Sequence, residues 1–119
     1  MRVLIADDDV MLVKTLGNMV ESCGHEVCGC AFYGMGVIRA YHELRPDVVL
    51  IDYSMSPIDG AAASRIILGQ YPDAKIVMMS GFLSKEDLGH LDCGAVIVEP
   101  KPIDIDRLRE ILEQISSVS

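Results

Sequence analysis

The chain has 119 residues, half of them apolar, with 18 acidic side chains against 10 basic ones and a formal charge of -8. Such a length suits one domain spanning residues 1–119, since separate domains usually run to about 100 residues or more each. The acidic excess repels nucleic-acid phosphates and an anionic membrane surface alike, so neither is expected as a partner. No apolar run approaches the roughly 18 residues of a membrane span, and Asp7 interrupts the opening apolar stretch too early for a signal peptide. A cytoplasmic protein is expected. Cys23, Cys28, Cys30 and Cys93 match no zinc spacing, and in a reducing compartment they read as free, mostly buried thiols.

Residues 3–6 form an apolar run without polar alternation, the pattern of a strand buried on both faces. Asp9 is placed to cap a helix whose inner stripe is Leu12, Leu16, Met19, Val20 and Cys23, with Gly24 just past its end. Residues 26–31 make a weaker strand, nearer an edge. Val37, Ile38, Tyr41 and Leu44 define a second helix that stops before Arg45-Pro46, because the residue preceding proline avoids helical geometry. A buried strand at 48–51 is followed by a helix at 61–70 opened by Asp59-Gly60, and then by a strand at 76–79. Ser84 with Asp87 reads as the capping box of a fourth helix that carries Leu88 and Leu91 inward. A fifth strand at 95–98 should end early, since proline in Glu99-Pro100 has no N–H for a ladder. Leu108, Ile111, Leu112 and Ile115 complete a fifth helix.

Five strands alternating with five helices imply an α/β fold, a parallel sheet covered on both faces and joined by right-handed crossovers. In such sheets the ligand crevice lies beyond the carboxyl ends of the strands. Asp7, Asp8 and Asp9 follow the first strand, Asp52 the third, Ser80-Gly81 the fourth and Lys101-Pro102 the fifth. Singly each has a plain structural reading as a cap, a turn or a solvated loop residue. Their convergence on one edge is what points to chemistry. Carboxylates brought together repel unless a cation joins them, and an all-oxygen donor set suits Mg²⁺, which shares its shell with waters and phosphate. A hydroxyl and a lysine opposite could hold phosphoryl oxygens. Asp52, at the end of the middle strand, is the nucleophile in this reading; Asp7 and Asp8 are placed to hold the metal. An ionised carboxylate needs no general base.

These residues resemble the response-regulator receiver family of two-component signalling, and the resemblance covers essentially the whole chain. Its carriers are the opening strand with its acidic residues through Asp9, Gly24-His25-Glu26-Val27, the run from Arg45-Pro46 to Asp52, Ser80-Gly81, and Lys101-Pro102. The resemblance implies a flavodoxin-like (βα)5 sheet with strand order 2-1-3-4-5. It further implies that Asp52 accepts phosphate from a histidine kinase or phosphotransfer protein, without other enzymatic activity. Asp8, Asp52 and the main-chain carbonyl of Ser54 would bind Mg²⁺, Asp7 would assist through water, and Ser80 and Lys101 would hold the phosphoryl group. A downstream protein or fused output domain, and possible homodimerisation, are the family-level partners.

Three features depart from the family pattern. Met55-Ser56-Pro57 puts proline one residue late, Val98 stands where a switch aromatic is common, and Glu99-Pro100 precedes the lysine. Ser54 and Phe82 occupy the two positions that influence dephosphorylation in this family, and Phe82 cannot orient a water by hydrogen bonding, so slow self-dephosphorylation is expected. A degenerate receiver that signals by contact alone is the first alternative. A haloacid-dehalogenase-type phosphatase is the enzymatic rival, because Asp7-x-Asp9 resembles its nucleophile and acid-base pair, but Val10 stands where glycine is expected and no acidic pair follows the lysine.

Overall fold

The apolar strands partition their side chains between two layers. In the computed structural model, which describes residues 1–82, 84, 86–87, 94–95 and 97–117, the order is β1 (Arg2–Ala6), α1 (Val10–Ser22), β2 (Glu26–Ala31), α2 (Gly34–Leu44), β3 (Val48–Asp52), α3 (Gly60–Gln70), β4 (Ile76–Ser80), β5 (Ile97–Pro100) and α4 (Ile105–Ser117). All neighbouring strands are parallel, in the order β2-β1-β3-β4-β5. The fold is flavodoxin-like.

Because successive strand residues face opposite ways, Val3 and Ile5 of β1 join Val48, Leu50, Val77 and Met79 beneath α1 and α4, whereas Leu4 and Ala6 join Val49, Ile51, Ile76 and Met78 beneath α2 and α3. The three inner strands are buried on both faces, which is why they read as unbroken apolar runs. Leu108, Ile111 and Leu112 on α4 are wholly buried, each removing enough apolar surface from water to contribute about 2 kcal/mol.

Local chemistry sets the helix ends. The Asp9 carboxylate accepts from the N–H groups of Met11 and Leu12, and that of Asp59 from Ala62, supplying partners to otherwise unpaired helix-start donors. Gly24 takes a φ of +86° just after α1, a conformation that costs glycine little. Arg45 is left-handed at the end of α2, immediately before Pro46.

Two expectations need correction. The last strand does not stop before Glu99: β5 runs from Ile97 through Pro100, opposite Ser80. It lies at the sheet edge and pairs with β4 alone, so proline's missing N–H removes no bond that a second neighbour needs. The described thiols, which are free, are not mostly buried either, since Cys23 and Cys28 are half-buried and Cys30 is exposed, the latter two on the other edge strand, where one side lacks a neighbouring strand. Register shifts there between Val3 and Leu4, passing over Cys28. The Ser84 hydroxyl accepts from the Asp87 N–H at 3.1 Å, as a capping box would have it; Leu88, Leu91 and Cys93 lie outside the described residues.

Gly60 fixes the chain just after β3. A Cβ there would stand 2.2 Å from the Asp52 carbonyl oxygen, a backbone atom with little freedom to yield. We expect Gly60→Ala to destabilise the protein by about 2 kcal/mol or more through overpacking, and Leu108→Ala by about 3 kcal/mol through cavity formation, both measured by urea denaturation. Only the former should also move the amide signals of Asp52 and Tyr53 in the folded protein.

Candidate functional site

Parallel strands all end on one edge of a sheet, so the residues that follow β1, β3, β4 and β5 are carried to a common crevice. Asp7 is wholly buried and Asp52 is 3% exposed, whereas Asp8 and Asp9 stand in solvent. One carboxylate oxygen from each of Asp7, Asp8 and Asp52 lies within 4.8 Å of the others. The Lys101 ammonium sits among them, 2.6 Å from Asp7 Oδ2 and 3.0 Å from Asp52 Oδ1. The second oxygen of Asp7 accepts the Asp9 N–H at 2.9 Å, so both ends of this buried carboxylate are occupied.

Burial raises the pKa of Asp52, and the negative charges of Asp7 and Asp8 push the same way, against the ammonium of Lys101. Burial also works against the charge on Lys101, but its hydrogen bonds to Asp7 and Asp52 outweigh that effect and raise its pKa. Three carboxylates facing one ammonium leave an excess of two negative charges at the ionised site. A hard divalent cation matches that excess and that all-oxygen donor set, so the residues present fit Mg²⁺.

The fourth and fifth strands are tied together beside the pocket. Lys101 donates its backbone N–H to the Ser80 carbonyl at 2.7 Å, which sets the lysine just beyond the last rung between β4 and β5; the peptide from Lys101 to Pro102 is cis. Ser80 is fully buried, and its hydroxyl oxygen accepts the Phe82 N–H at 3.1 Å. Phe82 stands 85% exposed at the rim.

The segment after Asp52 is anchored from both sides. Tyr53 donates to the Met79 carbonyl and accepts from the Gly60 N–H, each at 2.7 Å, while Met55 is buried in the layer beneath α2 and α3. Ser54 is half-buried within this segment, two residues beyond Asp52. Val98 packs half-buried against the same layer, so an aliphatic group occupies the position after Ile97.

Thus Asp7, Asp8, Asp52 and Lys101 converge in space, Ser80 is held by backbone bonds to the lysine's strand, and Asp9 serves as the cap of α1. Sequence reasoning missed the ion pair between the buried Glu99 of β5 and Arg107 of α4, where the Nε–H donates at 2.8 Å. A separation of eight residues across a strand-helix corner follows no local periodicity, so the sequence carries no signal for it. The ion pair braces the strand that ends one residue before Lys101.

Comparison with known proteins agrees with this architecture. The family model for the response regulator receiver domain matches residues 3–113. The chain is 32% identical to chemotaxis protein CheY of Thermotoga maritima over 116 residues, covering 97% of both proteins. It is 34% identical over 105 residues to protein-glutamate methylesterase/protein-glutamine glutaminase 3 of Hahella chejuensis, covering 86% of this chain but spanning 30% of that protein's length. Among solved structures, the CheX-CheY complex with BeF3 and Mg²⁺ from Borrelia burgdorferi superposes with a TM-score of 0.85 at 27% identity, covering 99% of this chain and 88% of the other. A parallel sheet of this order, an acidic pocket at its carboxyl edge and a match along nearly the whole chain place the protein in the response regulator receiver domain family.

Proposed function

We propose that the chain is one receiver unit over residues 1–119 that works as a phosphorylation switch, with Asp52 taking a phosphoryl group from a histidine kinase or phosphotransfer protein. The observation that carries this reading is the Lys101 ammonium bridging Asp7 and Asp52 within a group of three carboxylates. A structural ion pair needs one carboxylate; a site built for phosphoryl transfer needs a nucleophile, metal ligands and a cation for the incoming oxygens.

In this reading an Asp52 carboxylate oxygen attacks phosphorus, a P–O bond forms as the P–N bond to the donor imidazole breaks, and the imidazole leaves with its proton. Asp8, Asp52 and the Ser54 carbonyl would hold Mg²⁺, with Asp7 assisting through water. Bound Mg²⁺ supplies charge neutralisation for the carboxylates and the phosphoryl oxygens. Lys101 exchanges its hydrogen bond to Asp52 for one to a phosphoryl oxygen while keeping Asp7, and the Ser80 hydroxyl donates to another. The structural relative with BeF3 and Mg²⁺ supports this assignment, since a trigonal fluoride of that kind stands in for a phosphoryl group. The output is altered binding of a downstream protein or fused domain, with no separate enzymatic activity, and the acidic chain functions in the cytoplasm. No described helix is long and apolar enough to cross a membrane. Val98 favours one second reading, a receiver that signals by contact alone, because no aromatic ring follows Ile97 to couple to Ser80.

Incubation with phosphoramidate and Mg²⁺ tests the proposal by intact mass. We expect one phosphoryl adduct, lost in Asp52→Asn and reduced at least about tenfold in rate in Lys101→Ala; no adduct in the unmodified chain would favour the contact-only reading. Stability gives an independent check. A folded-state pKa above the ordinary 3.8 means that the protonated form is the favoured one, so the contribution of Asp52 is present below that value and lost as pH rises through the raised pKa. Without metal, Asp52→Asn should therefore stabilise the protein increasingly from pH 4 to pH 7, by about 3–6 °C in Tm if the relief is on the order of 1 kcal/mol. Mg²⁺ should raise the Tm of the unmodified chain and leave the variant nearly unchanged. Finally, Phe82→Asn should hasten loss of the adduct, because an amide can orient water where a phenyl ring cannot; decay within seconds in the unmodified chain would remove any slowing effect of Phe82.

A further inference from the structure

Seven large apolar side chains stand exposed among the described residues, and six of them, Val10, Met11, Phe32, Tyr33, Met35 and Phe82, lie within five positions past the end of a strand. They therefore ring the edge that carries the carboxylates, and the exception is Ile66 on α3. Isolated surface hydrophobics need no explanation, but a one-sided concentration marks an interaction surface.

Phe32, Tyr33 and Met35, at 42%, 51% and 53% exposure, make its densest part. Tyr33 is the N-cap residue of α2 and makes no capping bond with its side chain, at a position where Ser, Asp or Asn would stabilise the helix more. A local choice that forgoes stability on an exposed aromatic is a sign of use.

Two contacts connect this patch to the site. Gly34 lies so close to Ile58 that a Cβ would meet Ile58 Cγ1 at 2.3 Å and its carbonyl oxygen at 2.6 Å, and Ile58 belongs to the segment 53–59 that follows Asp52. On the other side, the Asp7 N–H bonds to the Ala31 carbonyl at 3.0 Å, which brings the loop bearing the exposed Asp8 and Asp9 beside Phe32.

We infer that Phe32, Tyr33 and Met35 form a docking surface for a basic partner segment with apolar anchors, and that its affinity follows the state of Asp52 through the Ile58–Gly34 contact. Charge selects the occupant. Lys or Arg side chains around apolar anchors complement Asp9, the exposed acid beside Phe32 that the metal site does not use, on a chain of net charge -8, whereas a second copy of the chain would set like charges face to face. Close packing between Ile58 and Gly34 leaves no slack, so a displacement of segment 53–59 is passed to the start of α2. The inference rests on Asp52 being the phosphoacceptor.

The test is a titration of the full chain, followed by backbone amide NMR, with an amphipathic helical peptide of Leu and Lys and with a Leu and Glu counterpart, in the presence and absence of beryllofluoride and Mg²⁺. We expect saturable binding of the Lys peptide alone, shifts centred on residues 32–35, and affinity about fivefold higher with beryllofluoride. Tyr33→Ser combined with Met35→Ser should weaken binding about tenfold, and because Ser is the better N-cap, a loss of fold does not account for that result. Unsaturated shifts spread over exposed acids, equal binding of both peptides, or indifference to the double substitution would overturn the inference, as would dimerisation by sedimentation that shifts the same amides. Beryllofluoride shifts at Asp52 and Lys101 without peptide separate the two readings: their absence overturns both, and their presence with unchanged peptide affinity overturns this one.

Discussion

Everything at the carboxyl edge of this sheet depends on one cation, the Lys101 ammonium held between Asp7 and Asp52. Two nearly buried carboxylates side by side repel strongly where water cannot screen them, and the lysine makes their coexistence tolerable without removing the excess negative charge. The surrounding fold exists to hold that balance. β1 delivers Asp7, β3 delivers Asp52, and β5 delivers Lys101, each at a strand end whose register with its neighbours is set by buried apolar side chains. A shift of any strand would part charges that attract and bring together charges that repel.

The balance is incomplete by construction, and the proposed function grows from that. A site with two surplus negative charges fits a divalent cation, and in the proposed function a phosphoryl group joining it would change both the charge and the hydrogen-bond demands on Lys101 and Ser80. The segment 53–59 starts just after Asp52 and is pinned through Tyr53, Met55 and Gly60, so a change at Asp52 has few ways to dissipate locally. Ile58 against Gly34 offers one outlet, toward α2. Toward the opposite edge of the sheet, Val98 packs half-buried against the layer beneath α2 and α3, and the Glu99–Arg107 pair braces β5 against α4.

Much of this was legible from the residue order. The strands at β1, β3 and β4 were plain because both faces are buried and nearly every position is apolar; α4 was plain because Leu108, Ile111, Leu112 and Ile115 repeat at helical spacing. Asp9, Gly24 and Asp59 announced helix ends through side chains whose capping chemistry is local. The misreadings fell at the sheet edges. Pro100 continues a strand because β5 has a partner on one side only, and Cys30 is exposed because β2 is likewise an edge, facts that depend on which strands have neighbours.

The sequence by itself determined the alternation of strand and helix, the parallel sheet that follows from it, and the identity of the residues that each strand end would present, because burial period and capping act over a few residues. Only the tertiary structure decided that Lys101 bonds Asp7 as well as Asp52, that Glu99 is buried and paired with Arg107, and that Gly34 and Gly60 leave room for Ile58 and the Asp52 carbonyl. Those contacts join residues far apart in the chain or across different elements. Their distances are set by how two layers of helices close on a twisted sheet, and no local periodicity encodes that closure.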